Sequence, residues 1–143
     1  MSKLWKKAVF CFLPALFFLI SGCGRNAQEE SESGQAFEAY YINREETAIS
    51  SETVYLDEEM TQDDQISALL AALQSAPEDV SLKASAGTAF QINGYKVDEG
   101  QLNIDVDESY RKLPATTEVL VRASIVRTLV QTEGINHVLM TVG

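Results

Sequence analysis

The sequence predicts a single small α+β domain in which two helices cover one face of a mainly antiparallel sheet. Two segments have the periodicity of amphipathic helices, and several shorter runs alternate as half-buried strands do. A hairpin signal at Gly100 separates two of these strands. The predicted order is ββαββαβ, and 143 residues leave room for one core after a leader and a linker.

The first half of the domain has two predicted strands and a helix. Residues 37–42 are an aromatic run typical of a strand, and residues 53–56 form a second, after the polar stretch 43–51. Thr61 is a suitable N-cap for the helix, which ends before Pro77. One apolar stripe with the spacing i, i+3, i+4 and i+7 consists of Ile66, Leu69, Leu70 and Leu73.

The next two strands are predicted over residues 89–97 and 101–106, with glycine at position 100 supplying the positive φ of a tight turn. In the second of them, apolar residues alternate with polar ones, which predicts a sheet with one buried face. The apolar residues are Leu102, Ile104 and Val106.

A second helix is predicted over residues 116–132, after Pro114 and before Gly134. Glu118 and Arg122 form an i,i+4 pair on its polar side. Residues 137–142 alternate again and predict the last strand. The apolar face of the helix is expected to consist of Val119, Ala123, Val126 and Val130, widened by Leu120, Ile125 and Leu129.

The N-terminus has the pattern of a lipoprotein signal peptide. Three lysines in the first seven residues precede the uncharged residues 8–20, and Ile20-Ser21-Gly22-Cys23 resembles a lipobox. The pattern predicts a signal peptide over residues 1–22 and acylation of Cys23, with palmitate among the attached chains. We therefore expect a lipid anchor on the extracytoplasmic face of the cell membrane. A membrane-spanning helix is the alternative, but the apolar run is shorter than the roughly 20 residues required and contains Pro14.

A flexible acidic tether is predicted over residues 23–36, ahead of the domain at 37–143. Residues 24–35 contain three glutamates and no apolar side chain larger than alanine, so they cannot bury enough surface to offset their ordering entropy. As a random coil these residues would reach about 20 Å.

The charge and the cysteines exclude several functions. The chain has 11 Lys plus Arg against 21 Asp plus Glu, so its net charge is -10 and no nucleic-acid partner is expected. Cys11 lies in the leader and Cys23 would be acylated, which leaves no thiol for a disulfide or a metal site. We expect no cofactor and no bound metal.

Candidate catalytic and metal-binding residues are few. Asp105 and Asp107 would lie on the same side of a strand, as paired glycosidase carboxylates do. His137 is the single histidine and is read as a solvated strand residue. The acidic group Asp57, Glu58, Glu59, Asp63 and Asp64 lacks the spacing of a calcium loop. The expectation is a protein without catalytic residues, not an enzyme.

Several motifs follow one another in a recognisable order. They are the helix at 66–73 followed by Ala76-Pro77, Ala86-Gly87-Thr88, the hairpin through Gly100, residues 102–107, the second helix, and the closing strand at 136–142. Taken in this order, they resemble the GerM domain of bacterial sporulation and spore germination proteins. The resemblance covers residues 37–143 and implies a fold similar to ring-building motifs, in which two helices pack on a sheet and copies associate side by side. The germination proteins carry two such domains, whereas this chain has room for one.

Three hypotheses for function follow. The leading one is an anchored lipoprotein whose noncatalytic GerM-like domain binds envelope proteins, with self-association among the expected contacts. The alternative is a protein that binds or acts on peptidoglycan or an envelope sugar through Asp105 and Asp107. A third is a lipoprotein that binds a small ligand, although 108 residues leave little room for an enclosed pocket.

Overall fold

The secondary structure follows the periodicity of the sequence closely. A computed structural model describes residues 34–143 and confirms the α+β class and the predicted element order, with one short strand added. A 3₁₀ helix at Glu108–Lys112 links β5 to α2. The elements are β1 (Gln35–Asn43), β2 (Ile49–Leu56), α1 (Gln62–Gln74), β3 (Leu82–Lys83), β4 (Ile92–Asp98), β5 (Gln101–Val106), α2 (Ala115–Leu129) and β6 (His137–Val142).

Some boundaries differ from the prediction. β1 begins at Gln35, inside the last two residues of the predicted tether, and β2 begins at Ile49, inside the predicted polar connection. β4 starts at Ile92 rather than at residue 89. The leader, Cys23 and residues 24–33 of the tether lie outside the described residues. Within residues 34–143, no helix is both long and apolar enough to cross a membrane.

The strands divide between two three-stranded sheets instead of forming one. The first sheet has the antiparallel order β2-β1-β3, and the second has the order β4-β5-β6. β4 and β5 are antiparallel, whereas β5 and β6 are parallel because α2 forms the crossover between them. Seventeen buried residues from both sheets and both helices form one hydrophobic core.

The β4–β5 hairpin has the predicted turn. Asp98 pairs with Gln101, which leaves Glu99 and Gly100 as a two-residue loop. Their φ angles of 49° and 82° are those of a turn whose twist matches the strands. A Cβ at position 100 would lie 2.9 Å from the carbonyl oxygen of Gly134, so glycine is required here for space as well as for its φ.

α1 is capped and buried as predicted. Thr61 Oγ1 accepts a hydrogen bond from the N–H of Asp64 at 3.2 Å and donates to that residue's carboxylate. The predicted apolar stripe, Ile66, Leu69, Leu70 and Leu73, is buried in the core. The helix ends at Gln74, three residues before Pro77.

The predicted buried face of α2 was wrong in part. Ile125 and Leu129 are buried as expected, but Val119 and Val130 are exposed. Hydroxyl side chains can be buried on this helix because they find hydrogen-bond partners: Ser124 Oγ donates to the carbonyl oxygen of Val121 at 2.9 Å. The buried residues are Thr117, Val121, Ser124, Ile125, Thr128 and Leu129.

Side chains from α2 and the loop after it cover the edge of β1 that faces away from β2. The side-chain amide of Gln131 accepts from the N–H of Glu38 at 2.9 Å and donates to its carbonyl oxygen at 2.8 Å. Thr128 Oγ1 accepts from the N–H of Tyr40 at 2.9 Å, and Ser85 Oγ donates to the Tyr40 carbonyl at 3.1 Å. Further along this edge, β3 pairs with the end of β1 at Ile42. Each of these backbone groups therefore has a partner.

We expect Thr128→Val to destabilise the domain, because this isosteric change leaves the N–H of Tyr40 without a partner. The loss of stability should be about 1 to 3 kcal/mol. Denaturant unfolding measures this loss, and native-state hydrogen exchange reports on the Tyr40 amide itself. Thr128→Ser is the matched control, since it keeps the hydroxyl group and should leave that amide protected. Equal protection of Tyr40 in both variants would contradict the role assigned to Thr128.

Candidate functional site

The lipobox lies outside the part of the chain that the structure describes. Ile20, Ser21, Gly22 and Cys23 therefore remain a prediction from the sequence. Among residues 34–143, the candidate groups are the acidic residues, His137 and the surface depressions.

Asp105 and Asp107 do not share a strand face. Asp105 lies on β5, where its carboxylate accepts a hydrogen bond from Asn93 Nδ2 at 3.0 Å. β5 ends at Val106, and Asp107 instead caps the 3₁₀ helix by accepting from the N–H of Ser109 at 3.1 Å. Both carboxylates are thus occupied by local contacts, and the expectation that they form a same-side pair on one strand was wrong.

The other acidic candidates have structural roles as well. Asp57 accepts from the N–H of Glu59 at 2.9 Å, and Asp64 takes part in the N-cap of α1. His137 is exposed at the start of β6. Within residues 34–143, no three His, Cys, Asp or Glu side chains are grouped closely enough to hold a metal ion.

The loop that joins β1 to β2 is closed by several hydrogen bonds. The side-chain oxygen of Asn43 accepts from the N–H groups of Thr47 and Ala48 at 2.8 and 2.9 Å. The N–H of Asn43 donates to the carbonyl oxygen of Ala48 at 3.0 Å, and the N–H of Glu46 donates to that of Asn43 at 2.9 Å. One asparagine thereby fixes the whole turn.

Glu46 links this loop to two distant elements. Its backbone has a φ of 53°, a left-handed conformation that is uncommon for a residue with a side chain. Its carboxylate forms an ion pair with Lys83 on β3 and accepts a hydrogen bond from the hydroxyl of Thr117 on α2. These two contacts, Lys83 first and Thr117 second, lower the pKa of Glu46 below its ordinary value.

An apolar groove lies beside Glu46, between the β1–β2 loop and the start of α2. We call it the hairpin groove because this loop joins the two antiparallel strands β1 and β2. It has a volume of about 390 Å³ and is open to solvent. Val119 is its most prominent apolar residue, with 61% of its surface exposed. The groove is lined by Glu46, Thr47, Ala115, Thr116, Val119 and Leu120.

The lining of the groove is mostly apolar. Its only ionisable lining residue is Glu46, whose carboxylate is already paired. An open apolar surface on a rigid loop and helix can receive an apolar side chain of another protein. Several other depressions of about 370 to 520 Å³ are also open rather than enclosed.

Sequence reasoning missed this groove for two reasons. It treated the β1–β2 connection as a polar stretch, although Asn43 followed by Thr47 is compatible with an ordered turn. It also assigned Val119 to the core. If Thr117, Ser124 and Thr128 are allowed to be buried, the predicted buried face of α2 shifts. Val119 then lies on the predicted exposed side.

The family of the chain follows from its match to a known family model. Residues 38–143 match the family described as "Germane: Sporulation and spore germination". The chain belongs to this family. The match covers nearly all of the described residues and confirms the resemblance to GerM domains.

Solved structures from two bacteria share the fold of this Germane domain. The first GerMN domain of the sporulation protein GerM from Bacillus subtilis matches with a TM-score of 0.59 and 17% identity, over 76% of this chain and 83% of that one. The tandem GerMN domains of the same protein match with a TM-score of 0.54 and 21% identity. That match covers 76% of this chain but 39% of the tandem structure, so this chain spans well under half of its length.

A predicted lipoprotein from Clostridium perfringens has a related structure. Its TM-score is 0.50 with 18% identity, over 76% of this chain and 72% of that one. A comparison with curated proteins finds no match. At these identities the structural matches establish a common fold, and the family assignment rests on the sequence match.

We expect Glu46 to contribute to stability in a pH-dependent way. Because its pKa is lower in the folded state, the contribution is present above the ordinary glutamate pKa of about 4.3 and is lost as pH falls through the folded-state value. The stability difference between the wild type and Glu46→Gln should therefore be largest near neutral pH and shrink in acid. Thermal unfolding between pH 7 and about pH 2.5 measures this difference.

The neighbouring Glu45 provides the control for that measurement. It is exposed and forms no hydrogen bond or ion pair with the described residues, so Glu45→Gln should leave the stability profile parallel to that of the wild type. A Glu46→Gln profile that also stays parallel would refute the contribution assigned to the Glu46 carboxylate.

Proposed function

We propose that this protein is a membrane-anchored extracytoplasmic lipoprotein whose Germane domain binds other envelope proteins without catalysing a reaction. Its role would be the assembly of an envelope, sporulation or germination complex. The observation that carries the proposal is the hairpin groove, an exposed apolar surface on a tightly bonded loop of a Germane domain. Sporulation and germination are the processes for which the family is named.

The sequence supports the anchor. A charged and then apolar leader ends in Ile20-Ser21-Gly22-Cys23, which has the small residues and the thiol that lipoprotein processing requires. The structural similarity to a predicted lipoprotein agrees with this assignment. The acidic residues that follow would hold the domain away from anionic headgroups.

The groove supports the binding of a protein partner. Val119 projects from the first turns of α2, while Glu46 and Thr47 form the opposite wall. The ion pair of Glu46 with Lys83 lowers the cost of desolvating that carboxylate when a partner covers it. We therefore propose that a partner inserts a small apolar side chain beside Val119.

Cys23→Ala should abolish lipidation of the full-length protein. Alanine has no sulfur nucleophile, so the variant should incorporate no labelled palmitate and should keep its leader. Metabolic labelling and the intact mass of the purified protein measure both properties. Cys11→Ala is the matched control, because that cysteine lies within the leader and its loss should leave labelling unchanged. Normal labelling of Cys23→Ala would overturn the predicted anchor site.

A photo-crosslinking residue at position 119 of the full-length protein should give a discrete adduct with an envelope protein in cells. The control carries the same residue at position 80, because Val80 is 81% exposed and lies outside the hairpin groove. Adding Cys23→Ala to the position-119 variant should reduce the adduct if binding needs the anchor. Adducts of equal yield at positions 119 and 80, or none at either, would count against a binding role of the groove.

A further inference from the structure

The outer edge of β6 is an open strand edge. β6 is the last strand of the second sheet, and the N–H groups of His137 and Gly143 donate to carbonyl oxygens on the β5 side. Because alternate residues of a strand bond to opposite sides, Val138, Met140 and Val142 point their backbone N–H and C=O groups away from β5. No described residue bonds to these outward groups.

This edge also lacks the features that prevent strands from pairing with other chains. Its sequence, HVLMTV, contains no Asp, Glu, Lys, Arg or Pro, and its pairing with β5 has no bulge. Of the other outer strands in residues 34–143, β2 carries Glu52, β3 carries Lys83, and β4 carries Lys96, Asp98 and a register shift. Leu139 is 47% exposed on the outer face of β6.

We propose that β6 pairs antiparallel with β6 of a second copy of this chain. Opposing Met140 to Met140 places Val138 opposite Val142 and Leu139 opposite Thr141. In that register every outward N–H and C=O group of Val138, Met140 and Val142 meets a partner group, and the two second sheets become one sheet of six strands. Residues that are opposite each other across the two β6 strands project from the same side of the sheet. The half-buried apolar side of β6 therefore continues across the seam between the two copies.

The edge matches a second copy because it is neutral and complementary to itself. The chain as a whole is acidic, with a net charge of -10, but β6 has no acidic side chain, and the carboxylates of Asp105 lie one strand behind each edge. Across the seam they would be three strand spacings apart, about 14 Å, which exceeds the Debye length of about 8 Å at physiological salt. Each copy uses its β6 edge once, so the assembly closes as a two-fold dimer.

The dimer can be tested with the full-length chain carrying Cys11→Ser and Cys23→Ser, purified in mild detergent. Light scattering across a concentration series should show a monomer–dimer equilibrium that shifts toward dimer at higher salt, since both copies are acidic. Leu139→Lys places a charge on the edge without altering the core, and it should raise the dimer dissociation constant about tenfold or more. Val80→Lys is the matched control, because it adds the same charge at an exposed valine that lies outside both β6 and the hairpin groove.

Cysteine pairs test the register. Chains with L139C mixed with chains with T141C, in the same cysteine-free background, should form a disulfide between the two kinds of chain in higher yield than either kind does alone. Circular dichroism should show that Leu139→Lys folds normally. Monomers at every concentration, a dimer that Leu139→Lys leaves unchanged, or disulfides without preference for the mixture would each overturn the proposal.

This dimer is separate from the proposed function. It uses β6, whereas partner binding uses the hairpin groove, so Leu139→Lys should not remove adducts formed from position 119. If the chain without Leu139→Lys forms no dimer while the position-119 adducts are retained, the β6 pairing alone is refuted.

Discussion

The edge of β1 that faces away from β2 sets much of the arrangement of this domain. Backbone N–H and C=O groups in a protein interior need partners, and here β3 supplies them over only two residues. Gln131, Thr128 and Ser85 supply the rest, with the amide of Gln131 bonding to Glu38 as a neighbouring strand would. Along most of this edge the first sheet therefore ends at side chains of α2 and of the loop after it. The strands β4, β5 and β6 form the second sheet.

The same contacts position the hairpin groove. α2 is fixed against the first sheet near its C-terminal end by Thr128 and near its N-terminal end by the bond between Thr117 and Glu46. These two attachments, eleven residues apart, hold roughly 16 Å of helix along β1. A helix held at both ends cannot rotate, so Val119 must lie on the side that faces solvent beside the β1–β2 loop. The groove is thus a consequence of how the edge of β1 is covered.

The sequence predicted those elements whose local pattern and tertiary environment agree. The stripe of α1 and the alternation of β5 were correct because apolar side chains alone define their buried faces. The face of α2 could not be derived in this way, since Thr117, Ser124 and Thr128 are buried through hydrogen bonds to partners far away in the chain or on the helix itself. β3, with two residues, is too short to show any period. The hairpin groove depends on the contact between Glu46 and Thr117, which no local pattern encodes.

Membrane attachment would alter the energetics of both proposed contacts. Domains tethered to one membrane by linkers that reach about 20 Å meet at a far higher effective concentration than free domains do. An edge-to-edge pairing of one six-residue strand is a small interface, and a small interface is weak between free molecules. Repulsion between two acidic copies weakens the pairing further in solution. Salt screens this repulsion between charges that lie a domain width apart. The proposed anchor at Cys23 and the proposed pairing of β6 are therefore complementary, since confinement to a membrane would supply the concentration that so small a contact requires.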